Sequence, residues 1–273
     1  MLGCDFSSAP KPRKPIVVAL GTARDARVEL AGFEYFTSLD DWGRWLGDQP
    51  AWVGAFDLPF GLPRELVEHL GWPLQWEPLI AHYAGLGREE IRRTFAAFCA
   101  GRPQGGKFAH RKTDGPAGSS PSMKWVNPPV AFMLHAGVPR LVAAGAALPG
   151  LRVPAEGSSR VALEAYPGLL ARELIGRRSY KSDAAAGQSN ERRQARGDLL
   201  DALEAGSARL GLQLALDGRS RRLLLDDAKG DRLDAPLCLV QAAWGAARSG
   251  SHPGPGYGLP AAVDPIEGWI VTA

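Results

Sequence analysis

The sequence predicts an α/β fold in which an antiparallel meander leads into strands that alternate with helices. Three short runs with β-type patterns, divided by turn residues, occupy most of residues 1–36 and predict the meander. The run AWVGAFD at 51–57 is apolar on both faces, which is typical of a central strand in a covered sheet. Helical patterns before and after that run complete the alternation of strands and helices.

The elements follow in chain order from their local patterns. The meander consists of MLGCDF at 1–6, IVVALG at 16–21 and RVELAGFEYF at 27–36. Ser38 provides a capping residue for a helix over 38–48, and Pro63 begins a helix that stops at Gly71. VALEAYP at 161–167 is the fifth strand. Further helices are predicted over 87–101, 131–145, 168–176, 190–210 and within 230–250.

We expect one domain over residues 1–273, with an insertion at about 72–150. Within that insertion, 102–129 runs for almost thirty residues without helical or strand periodicity. Segments of that length without periodicity are usually functional or disordered, and the apolar residues Phe108, Met123, Trp125 and Val126 argue against disorder. The tail at 264–273 has the pattern of a further short strand.

Composition limits the class of protein. Hydrophobic residues make up 45% and charged residues 22% of the 273 positions, which is ordinary for a globular chain. The basic residues near the amino terminus follow the short apolar run, the reverse of the order in a secretory signal. Three dispersed cysteines, Cys4, Cys99 and Cys238, favour neither a disulfide framework nor a zinc site. We therefore expect a cytoplasmic protein with no membrane partner. The sequence does not indicate its oligomeric state.

Positive charge is concentrated in two segments, although the net charge is only +3. Residues 87–124 contain eight Lys or Arg against three acidic residues, and 172–196 contain seven against three. Such local basic patches are consistent with a phosphate-bearing partner, above all nucleic acid. Solvated helix faces would have the same composition.

Carboxylates lie at the points where functional groups of parallel sheets collect. Asp5 ends the first strand, Asp57 ends the fourth, and Glu164 lies in the fifth. Side chains at the carboxyl ends of adjacent parallel strands converge, so Asp5 and Asp57 meet if their strands are neighbours. Asp231 and Asp234, spaced i,i+3 at the start of the last helix, face the same crevice. A capping role is the alternative for Asp234, and a turn-bracing role for Asp5.

A carboxylate cluster of this kind requires cations. Oxygen-only ligands suit Mg²⁺ or Mn²⁺, and the predicted metal ligands are Asp5, Asp57, Asp231 and Asp234. Two such ions about 4 Å apart activate water and stabilise the leaving oxygen in phosphodiester hydrolysis. Glu164 completes the predicted catalytic set.

Four segments together carry a resemblance to a known family: GCDFSSAP, GAFDLPFGLP, ALEAYPGLLAREL and GDRLDAPLCLVQAAW. The chain resembles, over essentially its whole length, the domain of unknown function 429 family, described as predicted nucleases of the ribonuclease H-like fold. KFAHRKTDGPAGSSPSMKWVNPP is similar to a stretch in bacterial members. The resemblance implies a mixed five-stranded sheet, an antiparallel meander plus parallel strands, with helices on both faces.

The resemblance also implies roles for the carboxylates. Asp5 on the first strand, Asp57 on the fourth and Asp231 or Asp234 on the last helix match the positions that Holliday-junction resolvases and ribonuclease H use for metal. Pro236 follows where a continuous helix is more usual, so the choice between Asp231 and Asp234 stays open.

The aperiodic segment fits a substrate arm. The residues expected to contact phosphates are Lys107, His110, Arg111, Lys112 and Lys124. Trp125 and Phe108 are expected to stack on a base. His110 is also a candidate proton shuttle, although loop histidines more often have no catalytic role.

The leading hypothesis is therefore a metal-dependent nuclease. An actin-like or sugar-kinase-like phosphotransferase is the alternative, since DFSSAP places an Asp before a small-residue turn, but no second Asp-x-Gly phosphate loop is found. A non-catalytic nucleic-acid-binding protein of the same fold is the third possibility.

Overall fold

A computed structural model describes residues 1–154, 156–250 and 254–273. Its centre is a sheet of six strands in the order β5-β4-β1-β2-β3-β6. The strands are β1 (Leu2–Asp5), β2 (Ile16–Arg24), β3 (Arg27–Phe36), β4 (Trp52–Asp57), β5 (Arg160–Glu164) and β6 (Gln213–Ala215). The predicted α/β class with a mixed sheet is confirmed.

The pairing of the strands follows the predicted division into meander and parallel part. β1, β2 and β3 pair antiparallel, whereas β4 runs parallel to β1, and β5 parallel to β4. The predicted count of five strands is one too few, because β6 pairs parallel with the outer edge of β3. β6 has only three residues, which is too short to produce a recognisable alternation.

Ten helices surround the sheet within the described residues. They are α1 (Leu39–Asp48), α2 (Arg64–His69), α3 (Trp76–Gly85), α4 (Arg88–Ala100), α5 (Asp114–Ala117), α6 (Val130–Ala143), α7 (Pro167–Ile175), α8 (Asn190–Ala205), α9 (Gly218–Leu225) and α10 (Asp231–Ala246). Ser38 caps α1 as predicted, accepting from the Asp41 amide. The helix predicted over 190–210 ends at Ala205, because Gly206 adopts a left-handed conformation. None of these helices is long and apolar enough to cross a bilayer.

The sheet separates two hydrophobic cores. Alternate residues of β2 divide between them: Ile16 and Val18 face one core, and Val17 and Ala19 face the other. The first core receives α1, α2, α3, α4 and α6, including helices of the predicted insertion. The second receives α7, α8 and α10. Both faces of the central strands are therefore covered, as the two-sided apolar pattern of 51–57 indicated.

The aperiodic segment 102–129 is ordered against the carboxyl-terminal tail. The Lys112 amide donates to Glu267 Oε2 at 2.8 Å, and the Ile270 amide donates to Thr113 Oγ1 at 2.9 Å. Ile270 also forms one parallel bridge to Glu164, so the predicted tail strand is reduced to a single bridge. These contacts hold the segment and the tail together at the carboxyl end of β5.

Candidate acidic site at the carboxyl ends of the central strands

Asp5 and Asp57 are register partners, the last residues of the neighbouring parallel strands β1 and β4. Paired residues of adjacent strands project to the same side of a sheet, so the two carboxylates lie side by side. The chain turns away at once beyond Asp57, where the Leu58 amide donates to the Phe56 carbonyl at 2.8 Å. The predicted convergence of these two residues is therefore present in the structure.

Helix α10 adds a third carboxylate. Asp234 has no solvent exposure and accepts hydrogen bonds from Tyr180 Oη at 2.5 Å and from Lys181 Nζ. Asp231, one turn earlier, is half-buried and also lines a neighbouring cleft. Of the two alternatives that the sequence left open, the structure places Asp234 deepest in the site.

Burial and mutual repulsion raise the pKa values of the carboxylates. Burial raises the pKa of Asp57 to about 7, with the charge of Asp234 adding to the effect and Lys181 opposing it. Burial also raises the pKa of Asp5 well above its usual range, and the charges of Asp234 and Asp231 raise it further. Near neutral pH a proton is therefore shared between the solvent and Asp57, and any cation at these carboxylates would compete with it.

Lys181 is the functional candidate that sequence reasoning missed. Burial opposes its charged form, but Asp234, Tyr180 and Asp5 outweigh that effect and raise the pKa of the ammonium group. The side chain lies over Gly230, where an added Cβ atom would stand 2.7 Å from Lys181 Cβ. The fold thus reserves space at the start of α10 for this lysine. Only its membership of the basic stretch 172–196 marked it in the sequence.

Glu164 belongs to a different buried cluster. Its carboxylate accepts from the Phe60 amide at 2.9 Å and from two guanidinium nitrogens of Arg111, at 2.6 and 2.8 Å. Arg111 also donates to Asp114 Oδ1 at 2.9 Å and is only 3% exposed. The prediction placed Arg111 on an exposed arm in contact with phosphate. The structure corrects that placement, since two carboxylates hold the guanidinium inside.

The other predicted substrate residues differ in their exposure. Lys107 and His110 are exposed, and Lys124 is half-buried. Trp125 packs at 5.4 Å against Phe108 and at 6.5 Å against Phe95, as measured between ring centroids. The aromatic rings expected to stack on a base therefore contribute to the protein core.

A metal ion has to fit the donors that are present. No group of three or more His, Cys, Asp or Glu side chains in 1–154, 156–250 and 254–273 is arranged to hold a metal ion. Both oxygens of Asp234 accept hydrogen bonds, and Asp231 also lines the neighbouring cleft. The predicted set of four metal ligands stays a prediction. Asp5 and Asp57 nonetheless have the oxygen donors that suit Mg²⁺, which commonly uses one or two carboxylates together with water and substrate phosphate.

Comparisons with known proteins identify no relative of this chain. No family model matches it, no curated protein matches it, and no solved structure matches it. The resemblance to the domain of unknown function 429 family therefore stays a prediction, and function has to be argued from the site.

Proposed function

We propose that this protein is a metal-dependent phosphodiesterase that cleaves nucleic acid on a ribonuclease H-like fold. The observation that carries the proposal is the register pairing of Asp5 with Asp57, against which α10 sets Asp234. The strand order β5-β4-β1-β2-β3, with an antiparallel meander followed by parallel strands, supports the fold that the resemblance implies. A fold alone does not determine a reaction, so the proposal of nuclease function rests on the chemistry of the site.

Asp5 and Asp57 would hold one Mg²⁺ or Mn²⁺ ion. When bound, such an ion activates water and stabilises charge on phosphoryl oxygens. The protonation state of Asp57 sets how much negative charge the protein offers to that ion. Above pH 7 the Asp57 carboxylate is ionised and available, whereas below that pH it holds a proton.

Lys181 provides a second positive charge that is part of the chain. Tyr180 Oη and Lys181 Nζ both donate to Asp234, so the buried carboxylate fixes the position of the ammonium group. Lys181 is half-exposed and lines a cavity that Asp57 also lines, so it is accessible to a phosphate oxygen there. We propose a site with one metal ion and one lysine in place of the two-ion site predicted from four carboxylates.

A cleft that Asp231 also lines has three basic and two acidic side chains in its lining, a small excess of positive charge that favours a polyanionic substrate. It has a volume of about 630 Å³, and its lining includes Arg13, Lys229, Arg232 and Tyr35. Tyr35 is 43% exposed and forms a cation–π contact with Arg232 at 5.6 Å. Basic side chains beside an exposed aromatic ring are the usual means of binding a nucleic-acid strand.

The test is cleavage of a labelled panel of single strands, duplexes, RNA–DNA hybrids and four-way junctions, with Mg²⁺, Mn²⁺ or chelator. We expect cleavage that requires metal and is lost in Asp57→Asn. Asp25→Asn is the matched control, because Asp25 is exposed in the turn between β2 and β3. Folded wild-type protein that cleaves no substrate with either metal would refute the proposal.

A further inference from the structure

A cavity of about 310 Å³ opens beside Asp57, one of the two paired aspartates. Asp57 and Lys181 form its charged end, so the cavity is continuous with the proposed phosphate position. The remaining walls come from the turn after β4, the segment before α6, α6 itself, the end of β5 and the tail. Their residues include Leu58, Pro59, Ser119, Ser120, Val130, Met133, Tyr166 and Ile270.

Apart from its charged residues, the cavity has a mainly apolar lining. Leu58, Pro59, Val130, Met133 and Ile270 present hydrocarbon surface. This part of the cavity therefore suits a flat or apolar group of the substrate.

The charged groups in this part of the wall compensate one another. Arg111 and Glu164 line the cavity as an ion pair, with Asp114 as the second partner of Arg111. The hydroxyl groups of Ser119, Ser120 and Tyr166 add polar contacts. The lining therefore suits an uncharged group with a few hydrogen-bonding atoms at its edge.

We propose that this cavity binds a single unpaired nucleobase attached to the phosphate at the acidic site. The inference rests on the proposed function and specifies its substrate class. Ligand cavities commonly span roughly 300–1,000 Å³, and this one lies at the small end, with room for one nucleoside rather than a base pair. The substrate is accordingly a single strand or an unpaired end, because a paired base would first have to leave its stack.

The walls of the cavity are fixed before any ligand arrives. Arg111 joins the segment to β5 through Glu164 and to the tail through the Glu267 carbonyl at 3.0 Å. Thr113 Oγ1 accepts from the Ile270 amide at 2.9 Å on the same side. Forming this wall gives the long aperiodic segment a function, although a different one from the phosphate-binding arm that the sequence predicted.

The first test is binding of adenosine and cytidine 5′-monophosphates by isothermal titration calorimetry with Mg²⁺ present, since a nucleoside monophosphate has no phosphodiester bond to cleave. Val130→Trp places an indole in the cavity and should weaken binding about tenfold or more, equivalent to roughly 1.4 kcal/mol. Val126→Trp is the matched control, because Val126 is exposed and does not line the cavity. Ser120→Trp repeats the test from another wall if Val130→Trp does not fold.

Wild-type protein that binds neither nucleotide at millimolar concentration would overturn the inference, as would equal binding by Val130→Trp and the control. The second test compares cleavage of a single strand with its duplex in Mn²⁺, and we expect the single strand to be cleaved at least about tenfold faster. Equal rates would overturn the inference while supporting the proposed function. Nucleotide binding that the tryptophan blocks, without cleavage of any strand, would instead refute the proposed function and leave a nucleobase-binding cavity.

Discussion

Gly3 of β1 lies in close backbone contact with Leu239 of α10. A Cβ atom added to Gly3 would stand 2.6 Å from Leu239 Cα and still closer to the Leu239 amide nitrogen. The helix therefore rests directly on the strand that ends at Asp5, and this approach brings Asp234 to the acidic pair.

Gly3→Ala should lower the free energy of unfolding by about 3 kcal/mol, because backbone cannot yield to a methyl group as a flexible side chain can. Urea unfolding followed by tryptophan fluorescence measures the change. Gly32→Ala is the matched control in β3, where an added Cβ atom meets nothing within 4 Å. Equal effects of the two substitutions would show that α10 does not depend on this close approach.

Asp57→Asn should stabilise the metal-free protein, and more so as pH rises. The pKa of Asp57 is about 7 in the folded protein, against about 3.9 for an unperturbed aspartate. Between these values the folded state binds a proton that the unfolded state has lost, so the wild type loses stability from pH 4 to 7. The excess stability of Asp57→Asn in chelator should be near zero at pH 4 and greatest at pH 8, as measured by chemical unfolding. A constant difference across this range would contradict the raised pKa.

Metal should stabilise the wild type at high pH and little at low pH. Mg²⁺ or Mn²⁺ needs ionised Asp5 and Asp57, which protons occupy at acidic pH. Thermal unfolding with and without chelator should show a higher Tm with metal at pH 8 and a much smaller rise at pH 5.5. The Asp5→Asn variant should show no rise at either pH. A rise of equal size in that variant would place the bound ion elsewhere.

Lys181→Met should strengthen metal binding and weaken cleavage. The substitution removes the ammonium group from Asp234 and leaves that carboxylate free to attract an ion, while the proposed contact to phosphate is lost. Mn²⁺ affinity by calorimetry should rise several-fold, and kcat should fall by roughly 10². Lys11→Met, at an exposed position, is the control for charge alone. Unchanged Mn²⁺ affinity together with unchanged kcat would show that Lys181 has no role in the site.

Arg111→Met should destabilise the fold by about 3–5 kcal/mol, since Glu164 and Asp114 would be left buried without their common cation. Arg44→Met is the control, because Arg44 pairs with Asp41 on the exposed face of α1 and surface pairs contribute at most about 1 kcal/mol. Adding Glu164→Gln should recover part of the loss in Arg111→Met. No recovery in the double variant would mean that Arg111 stabilises through packing rather than charge.

The local sequence pattern was sufficient to predict those site residues that end a recognisable strand. Asp5 and Asp57 stood out because each terminates an apolar run, and the register of β1 and β4 then brings them together. Lys181 and Tyr180 lie between helices in a segment without periodicity, so no spacing marks them. Their role arises from contact with Asp234, more than fifty positions away.

The predicted exposure of Arg111 was wrong for the same reason: its surroundings depend on residues that are distant in the sequence. In sequence it lies in a basic, polar segment with the composition of a solvated arm. Burial of its guanidinium depends on Glu164 and Asp114 meeting it from β5 and from its own segment, which composition alone does not reveal. Likewise β6 is defined by its partner β3 rather than by its own three residues.

The dependence of the site on α10 has a consequence for the newly synthesised protein. Asp5 is translated before Asp234, and the helix that packs on Gly3 is translated only after all six strands of the central sheet. While the nascent polypeptide is still attached to the ribosome, the meander can form but its partner helix is missing. The acidic site is therefore assembled only after α10 has been translated, and an incomplete polypeptide that ends before α10 has no Asp234 to position Lys181.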